Sequence, residues 1–170
     1  MSSNQTKIPD VQSLVIRTHL IVFDFDGVFT DNTVWVNQHG EESVRCWRGD
    51  GIGLRILDRL GVEYMVISTE KNPVVGARCA KLGLEYRQGC ENKAAILREE
   101  VKKKKHSADQ VAFVGNDVND RECLQAVGFP IVVADAHPEV RPLARYITEK
   151  PGGFGAVREV CDLFSATLTR

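Results

Sequence analysis

One stretch of the sequence predicts the architecture of the whole chain: Ile21-Val22-Phe23-Asp24-Phe25-Asp26-Gly27-Val28-Phe29-Thr30-Asp31. Its apolar beginning, bounded by glycine, is typical of a short buried strand. Asp24 and Asp26 follow at the carboxyl end, which is where open α/β sheets bind their ligands. Gly27 allows the backbone to turn and approach a ligand closely. The competing interpretation is a hydrated strand end without a chemical role.

The composition indicates one globular domain. The chain has 170 residues, of which 43% are hydrophobic and 26% charged, and this length is sufficient for a real core. A net charge of −1 gives no general attraction to nucleic acid or to a membrane surface. No apolar run approaches the ~20 residues that span a bilayer, and the polar N-terminus has no signal-peptide core. We therefore expect a disordered leader over residues 1–14 and a single domain over 15–170.

The cysteines indicate a reducing compartment. There are five, an odd number, and no two have Cys-x-x-Cys spacing. The four histidines are not clustered with them, which argues against a zinc site. We expect free thiols in a cytoplasmic protein.

Apolar strand patterns alternate with helical patterns along the rest of the chain. This alternation predicts a Rossmann-like parallel sheet with helices on both faces. Residues 33–36 and 43–47 flank a turn with Gly40 and predict a β-hairpin, which would be the whole of a minimal cap. The basic run at 102–105 suits a helix C-terminus in solvent better than a nucleic-acid site, because no aromatic residues are interleaved with it. The predicted strands cover residues 62–67, 84–87, 110–114, 129–133 and 146–148, and the predicted helices cover 10–17, 51–60, 73–82, 92–103, 120–127, 138–143 and a last segment ending at 168.

Polar side chains follow several of the predicted strands, and in a parallel sheet they meet at one edge. Carboxylates, a hydroxyl and an ammonium group together suit Mg²⁺ and a phosphate group. Each has an ordinary alternative: Ser68 as a helix cap, Lys93 as a surface lysine, and Asn116 to Asp120 as a capped loop. Thr69 is the neighbouring alternative to Ser68 as the hydroxyl of the site, although the strand register favours Ser68. The residues concerned are Asp24, Asp26, Ser68, Lys93, Asn116, Asp117 and Asp120.

These residues resemble the motifs of the haloacid dehalogenase superfamily in their order along the chain. Asp24 to Asp31 resembles the first motif, Asp-x-Asp-Gly-x-x-Thr/Ser-Asp, and Gly115 to Asp120 resembles the fourth, normally Gly-Asp-x-x-x-Asp. The resemblance implies a nucleophile at Asp24, an acid/base at Asp26, and phosphate contacts from Ser68 and Lys93.

The resemblance also implies Mg²⁺ held by Asp24, the carbonyl of Asp26, and Asn116. Asn116 replaces the usual aspartate and brings one less negative charge. Asp117 could be the ligand instead. In the superfamily pattern, Asp117 and Asp120 otherwise support the site from behind the ligands.

Within the superfamily, the chain is similar to the 3-deoxy-octulosonate 8-phosphate phosphatase group. Ala134-Asp135-Ala136-His137-Pro138 and Gly152-Gly153-Phe154-Gly155-Ala156-Val157-Arg158-Glu159 carry this likeness. It implies a small-molecule phosphatase that acts on a phosphorylated 2-keto-3-deoxy sugar acid. It also implies a homotetramer in which hairpins and C-terminal tails complete neighbouring sites. The residues expected to bind substrate are Trp47, Arg48, Gly49, Asp50, Gly51, Arg55, Glu70 and Arg78.

Glu70 departs from the octulosonate pattern. Ser68-Thr69-Glu70-Lys71 stands where those enzymes have Thr-Gly-Arg-Lys, and an acidic residue there is similar to relatives that act on nine-carbon sugar acid 9-phosphates. It is also similar to the module fused to sialic acid cytidylyltransferases. A non-catalytic oligomerisation module is thus the alternative function, although the retained Asp24 and Asp26 favour an enzyme.

Overall fold

The computed structural model describes residues 10–169 and has a six-stranded parallel sheet at its centre. Its strand order is β5-β4-β1-β6-β7-β8, and every neighbouring pair is parallel. The strands of this sheet are β1 (Leu20–Phe23), β4 (Glu63–Ile67), β5 (Glu85–Arg87), β6 (Val111–Gly115), β7 (Phe129–Val132) and β8 (Tyr146–Ile147).

Helices cover both faces of the sheet, as the sequence predicts. The chain first moves across the sheet from β1 to β5, and then in the opposite direction to β6 and β7. Because crossovers between parallel strands are right-handed, α2 and α3 lie on one face and α4 and α5 on the other. The last helix, α6, packs against α1 and α2, while α4 packs against α5. The helices are α1 (Val11–Arg17), α2 (Arg48–Leu60), α3 (Val74–Leu82), α4 (Lys93–Lys103), α5 (Arg121–Ala126) and α6 (Ala156–Leu168).

The strand order places a binding crevice beside β1. The chain passes from β1 to β4 and β5 on one side, and then continues with β6, β7 and β8 on the other. This reversal lies between β1 and β6, where Phe23 pairs with Val114. All four residues of β1 are fully buried, so the strand is a rigid support for the loop that follows it. Open α/β sheets bind ligands at such a reversal, beyond the carboxyl ends of the strands.

A β-hairpin follows the loop after β1. Its strands, β2 (Trp35–Val36) and β3 (Glu42–Ser43), are antiparallel and exposed. A bridge between Thr30 and Cys46 closes its base. The hairpin is confirmed, with strands shorter than the sequence predicts.

Three boundaries differ from the sequence-based expectations. Asp10 accepts a hydrogen bond from the Ser13 amide and caps α1, so the predicted leader boundary at residue 14 is wrong, and residues 1–9 lie outside the described part. Helix α2 begins at Arg48 and not at residue 51, and it packs closely on α6, where a Cβ on Gly53 would lie 3.0 Å from the Cβ of Cys161. Only one 3₁₀ turn, Arg141–Leu143, forms in the segment predicted as a helix over 138–143, where proline stands in the first turn.

The cysteines are unpaired throughout residues 10–169, which confirms the expected free thiols. No helix among these residues is long and apolar enough to cross a membrane.

Candidate active site

Asp24 lies at the carboxyl end of β1 and is almost completely buried, with 4% of its surface exposed. Its Oδ1 accepts hydrogen bonds from the Phe25 amide at 2.7 Å and is 2.8 Å from the Nζ of Lys93. Burial and the nearby charge of Asp120 raise the pKa of Asp24, and the Lys93 ammonium opposes that rise. The side chain is therefore held in one orientation by a cation and a backbone donor.

Lys93 is the first residue of α4 and is buried between two carboxylates. Its Nζ lies 2.6 Å from Oδ1 of Asp120 as well as 2.8 Å from Asp24. Burial lowers the pKa of Lys93, but the charges of Asp24 and Asp120 outweigh this effect and raise it overall, so the ammonium stays charged. A buried lysine with 3% exposure excludes the surface-lysine interpretation.

Asp120 organises the loop after β6. Its Oδ2 accepts hydrogen bonds from the backbone amides of Asn116 at 2.8 Å and Asp117 at 3.3 Å. Gly115 is required at the end of β6, because a Cβ there would lie 2.6 Å from the Asp120 carboxylate. Asp120 thus fixes Lys93 and the Asn116 backbone together, as the sequence predicts for a residue behind the ligands.

Three oxygens converge beside Asp24. The side-chain oxygen of Asn116 lies 3.3 Å from Oδ2 of Asp24 and 3.0 Å from the carbonyl oxygen of Asp26. Oxygens that share an octahedral Mg²⁺ at 2.0–2.1 Å are about 2.9 Å apart, and the two separations from Asn116 are close to that value. Without a cation the amide would reverse, because its nitrogen could then donate to both oxygens.

Asp117 is held by its own turn. Its Oδ1 accepts a hydrogen bond from the Val118 amide at 2.6 Å, within a short helical turn over Val118–Asp120. It borders the same cavity as Asp24. The converging oxygens nevertheless favour Asn116 over Asp117 as the ligand.

Asp26 is half-buried and faces the cavity. Thr30, which is fully buried, donates from its hydroxyl to Oδ1 of Asp26 at 3.4 Å and accepts from the Gly27 amide at 3.1 Å. Burial raises the pKa of Asp26, and the charges of Glu70 and Glu42 add to the increase. A carboxyl group that retains its proton to higher pH is suited to act as a general acid.

Ser68 follows β4 and borders the same cavity, which has a volume of about 260 Å³. It is 1% exposed, and its Oγ accepts a hydrogen bond from the Glu70 amide at 3.1 Å. Ser68 does not cap α3: the helix follows Pro73, and the amide of its first residue, Val74, donates to Oδ1 of Asn72 at 3.0 Å. Ser68 and Thr69 both border the cavity, but only Ser68 is buried in its wall.

None of the predicted substrate-binding residues borders this cavity. Arg48, Gly51, Arg55 and Arg78 border a separate groove of about 760 Å³, together with Lys81, and the two cavities share no lining residue. Trp47 is half-exposed, and its indole lies over Gly49 and Gly155.

Two of the predicted substrate contacts have structural roles. Asp50 is fully buried, and its Oδ1 accepts a hydrogen bond from the Arg158 amide at 3.2 Å near the start of α6, so the expectation that it contacts substrate is wrong. Burial raises the pKa of Asp50 to about 7. Glu70 is bound to the loop before α3, where its Oε1 accepts from the amides of Lys71 at 2.6 Å and Asn72 at 2.7 Å. Glu70 does not border the cavity, and these two amides hold its carboxylate in place.

Sequence reasoning missed Glu42 and Thr30. Glu42 lies on the hairpin, and its Oε2 accepts a hydrogen bond from the Asn72 side chain at 3.1 Å, which brings the hairpin over the loop after β4. No local pattern signals this contact. Thr30 was identifiable as part of the first motif, but its hydrogen bonds to the Asp26 loop follow only from the folded turn.

Comparisons with known proteins agree with this geometry. A family model for haloacid dehalogenase-like hydrolases matches residues 86–159. The chain is 37% identical over 155 residues to the 3-deoxy-D-manno-octulosonate 8-phosphate phosphatase of Escherichia coli strain B / BL21-DE3, covering 91% of this chain and 82% of that protein.

Solved structures of the same group superpose closely. The enzyme of that name from Yersinia pestis gives a TM-score of 0.90 at 33% identity, covering 94% of this chain and 87% of that one. The Moraxella catarrhalis enzyme, crystallised with magnesium, phosphate and KDO, gives a TM-score of 0.88 at 30% identity, covering 92% of this chain and 90% of that one. With both the site and the whole-chain similarity in agreement, the chain belongs to the haloacid dehalogenase-like hydrolases, as a member of their 3-deoxy-D-manno-octulosonate 8-phosphate phosphatase family.

Proposed function

We propose that this protein is a Mg²⁺-dependent phosphomonoesterase that acts through an aspartyl-phosphate on a phosphorylated 2-keto-3-deoxy sugar acid. The observation that carries this proposal is the environment of Asp24. One carboxylate oxygen is 2.8 Å from the buried Lys93 ammonium, and the other belongs to the three-oxygen set with Asp26 and Asn116.

Asp24 attacks phosphorus, and the bond to the sugar oxygen breaks. Asp26 gives its proton to the departing alkoxide, so the sugar acid leaves as an alcohol. The resulting carboxylate of Asp26 then takes a proton from water, which attacks the aspartyl-phosphate and releases inorganic phosphate. Asp24 and protonated Asp26 are restored.

Lys93 and Ser68 would bind the transferring group. The Lys93 ammonium is fixed by two carboxylates before substrate arrives, so little rearrangement accompanies the reaction. When bound by Asp24, the Asp26 carbonyl and Asn116, Mg²⁺ would supply positive charge to the phosphate oxygens. The retained and assembled site favours this enzyme over a non-catalytic oligomerisation module.

Release of phosphate from an aryl phosphate, with Mg²⁺ or with EDTA, tests the activity. Asp24→Asn should abolish turnover and leave the protein folded, because it removes the nucleophile and almost no volume, while Lys93 keeps its ion pair with Asp120. Near-normal phosphate release by a folded Asp24→Asn variant would exclude the covalent route.

For the substrate, we propose a preference for nine-carbon 9-phosphates over the octulosonate 8-phosphate that gives the relatives their name. Glu70 is held near Asp26, since its charge contributes to the raised pKa of Asp26. A fixed carboxylate there repels a substrate carboxylate but accepts hydrogen bonds from sugar hydroxyls. A longer substrate would carry its carboxylate toward the basic groove at Arg55 and Arg78.

The ratio of kcat/KM values for the two substrates tests this preference. Glu70→Arg should shift the ratio toward the eight-carbon substrate, because arginine pairs with a carboxylate through two hydrogen bonds. Glu70→Gln is the matched control, since it keeps an oxygen for the Lys71 and Asn72 amides without the charge. A wild-type preference for the eight-carbon substrate, with an unchanged ratio in Glu70→Arg, would show that Glu70 does not set specificity.

We also propose a homotetramer assembled through the hairpin. Val34, Trp35 and Val36 have 54%, 73% and 61% of their surfaces exposed. An isolated two-stranded hairpin is marginally stable in water, so these apolar side chains favour burial against another copy of the chain.

A further inference from the structure

The glycine turn after β8 packs directly against the loop that carries Asp26. Gly152 and Gly153 are both buried. The amide of Gly153 donates to the carbonyl oxygen of Val28 at 3.1 Å. A Cβ on Gly152 would lie 1.9 Å from the carbonyl oxygen of Gly27, and one on Gly153 would lie 2.4 Å from the amide nitrogen of Asp31. Only glycine allows the two backbones to approach so closely.

Gly27 is enclosed from the other side by Asn116. It has a φ of +77°, and a Cβ there would lie 1.9 Å from the Nδ2 atom of Asn116. Gly27 therefore lies between the Asn116 amide and the Gly152 backbone. Since Gly27 follows Asp26 directly, any shift of the glycine turn reaches the Asp26 carbonyl, one of the three converging oxygens.

A single segment after β7 contacts both loops. The Oδ1 atom of Asp135 accepts a hydrogen bond from the Gly152 amide at 3.0 Å. Two residues later, the His137 amide donates to the carbonyl oxygen of Asn116 at 2.7 Å. The segment from Asp135 to His137 thus contacts the Asn116 loop directly and the Asp26 loop through the glycine turn.

We propose that Asp135 is a positioning residue, which holds the Gly152–Gly153 turn and thereby fixes the distance between the Asp26 carbonyl and Asn116. This inference rests on the proposed function for the identity of the ion. Asp135 does not border the cavity, so its effect passes through the backbone and not through contact with substrate. Partners of this kind affect metal affinity or activity by roughly 10–100-fold when they are removed.

The experiment compares Asp135→Ala with Asp135→Asn in the full-length protein. Asn keeps an oxygen that can accept from the Gly152 amide, whereas Ala does not. Calorimetric titration with Mg²⁺ alone gives the dissociation constant, and steady-state kinetics separate kcat from KM. Asp10→Ala is the matched control, because it also removes an exposed carboxylate bound to a backbone amide, that of Ser13 at 2.7 Å.

We expect Asp135→Ala to weaken Mg²⁺ binding by on the order of tenfold or more and to lower kcat more than it changes KM. Asp135→Asn should retain the wild-type values, and Asp10→Ala should lower only the unfolding temperature. An Asp135→Ala variant that loses stability alone, with unchanged Mg²⁺ affinity and kcat, would overturn the proposal, as would a wild-type protein that binds no Mg²⁺. If the wild type binds Mg²⁺ but hydrolyses no phosphate ester, the proposed function fails, while the Mg²⁺ titrations still test Asp135.

Discussion

Asn116→Asp should tighten Mg²⁺ binding. The substitution replaces an amide oxygen with a carboxylate oxygen of nearly the same shape, 3.3 Å from Oδ2 of Asp24 and 3.0 Å from the Asp26 carbonyl. One further unit charge about 2.1 Å from a divalent ion is worth about 4 kcal/mol even at the dielectric constant of bulk water. Desolvation and the partial charge already on the amide reduce this gain. We expect a net improvement of about 1–3 kcal/mol, or roughly 5–150-fold in the dissociation constant.

The metal-free variant should be less stable than the wild type. Asparagine can reverse its amide and donate to Asp24 and Asp26, whereas aspartate places a second carboxylate 3.3 Å from Asp24. Repulsion between two unit charges at that distance is about 1–5 kcal/mol for effective dielectric constants of 80 to 20. Thermal unfolding with EDTA should therefore start lower in the variant, and Mg²⁺ should raise its unfolding temperature more than it raises that of the wild type.

Calorimetric titration with Mg²⁺ measures the affinity, and Asn119→Asp is the matched control. Asn119 borders the same cavity, so this control adds the same charge outside the three-oxygen set. An unchanged dissociation constant in Asn116→Asp, together with a large loss in Asp117→Asn, would refute the reasoning and identify Asp117 as the ligand.

Two further predictions concern the buried lysine and the hairpin. Lys93→Met leaves two buried carboxylates without a cation, which should cost about 3–5 kcal/mol, or roughly 6–20 °C in unfolding temperature. In this variant burial and the charge of Asp120 raise the pKa of Asp24 without opposition from a cation, so the folded protein binds more protons than the unfolded chain. Its stability should therefore fall as the pH rises from the ordinary carboxyl pKa through the raised pKa of Asp24. Equal stability at pH 5 and pH 8 would contradict this. Light scattering should give the mass of a tetramer, and Trp35→Ser should reduce that mass. Ile16→Ser is the control and should leave the mass unchanged, because Ile16 is also an exposed apolar side chain, with 61% of its surface accessible. A wild-type monomer would exclude assembly through the hairpin.

The parts of the site that the sequence predicts are those fixed by strand ends. Asp24, Ser68 and Asn116 each follow a strand of the parallel sheet, and the carboxyl ends of parallel strands necessarily meet at one edge. Local patterns of apolar residues are sufficient to locate those strands. Lys93 was identifiable only by resemblance, since a lone lysine carries no signal of the burial that the fold imposes on it.

The parts that the sequence misses depend on contacts between distant segments. Asp50 is next to glycines in a loop-like sequence, yet it is inside α2 and bonded to Arg158, 108 residues later. Glu70 is adjacent to the catalytic hydroxyl in sequence, but nearby backbone amides compete for its carboxylate. In both cases the residue type was noticed and its partner was not, because a single sequence does not show which groups meet across the fold.

The balance of charge in the site explains what asparagine at position 116 contributes. Asp24, Asp26 and Asp120 surround the reacting centre, and Lys93 is the cation bonded to two of them. A phosphate dianion approaching this cluster is repelled unless a divalent cation is bound. An aspartate at 116 would hold that cation more tightly but would add a further negative charge beside the phosphate. Asparagine retains an oxygen ligand and avoids the added repulsion, so Asn116→Asp should improve Mg²⁺ affinity without a matching improvement in the affinity for inorganic phosphate.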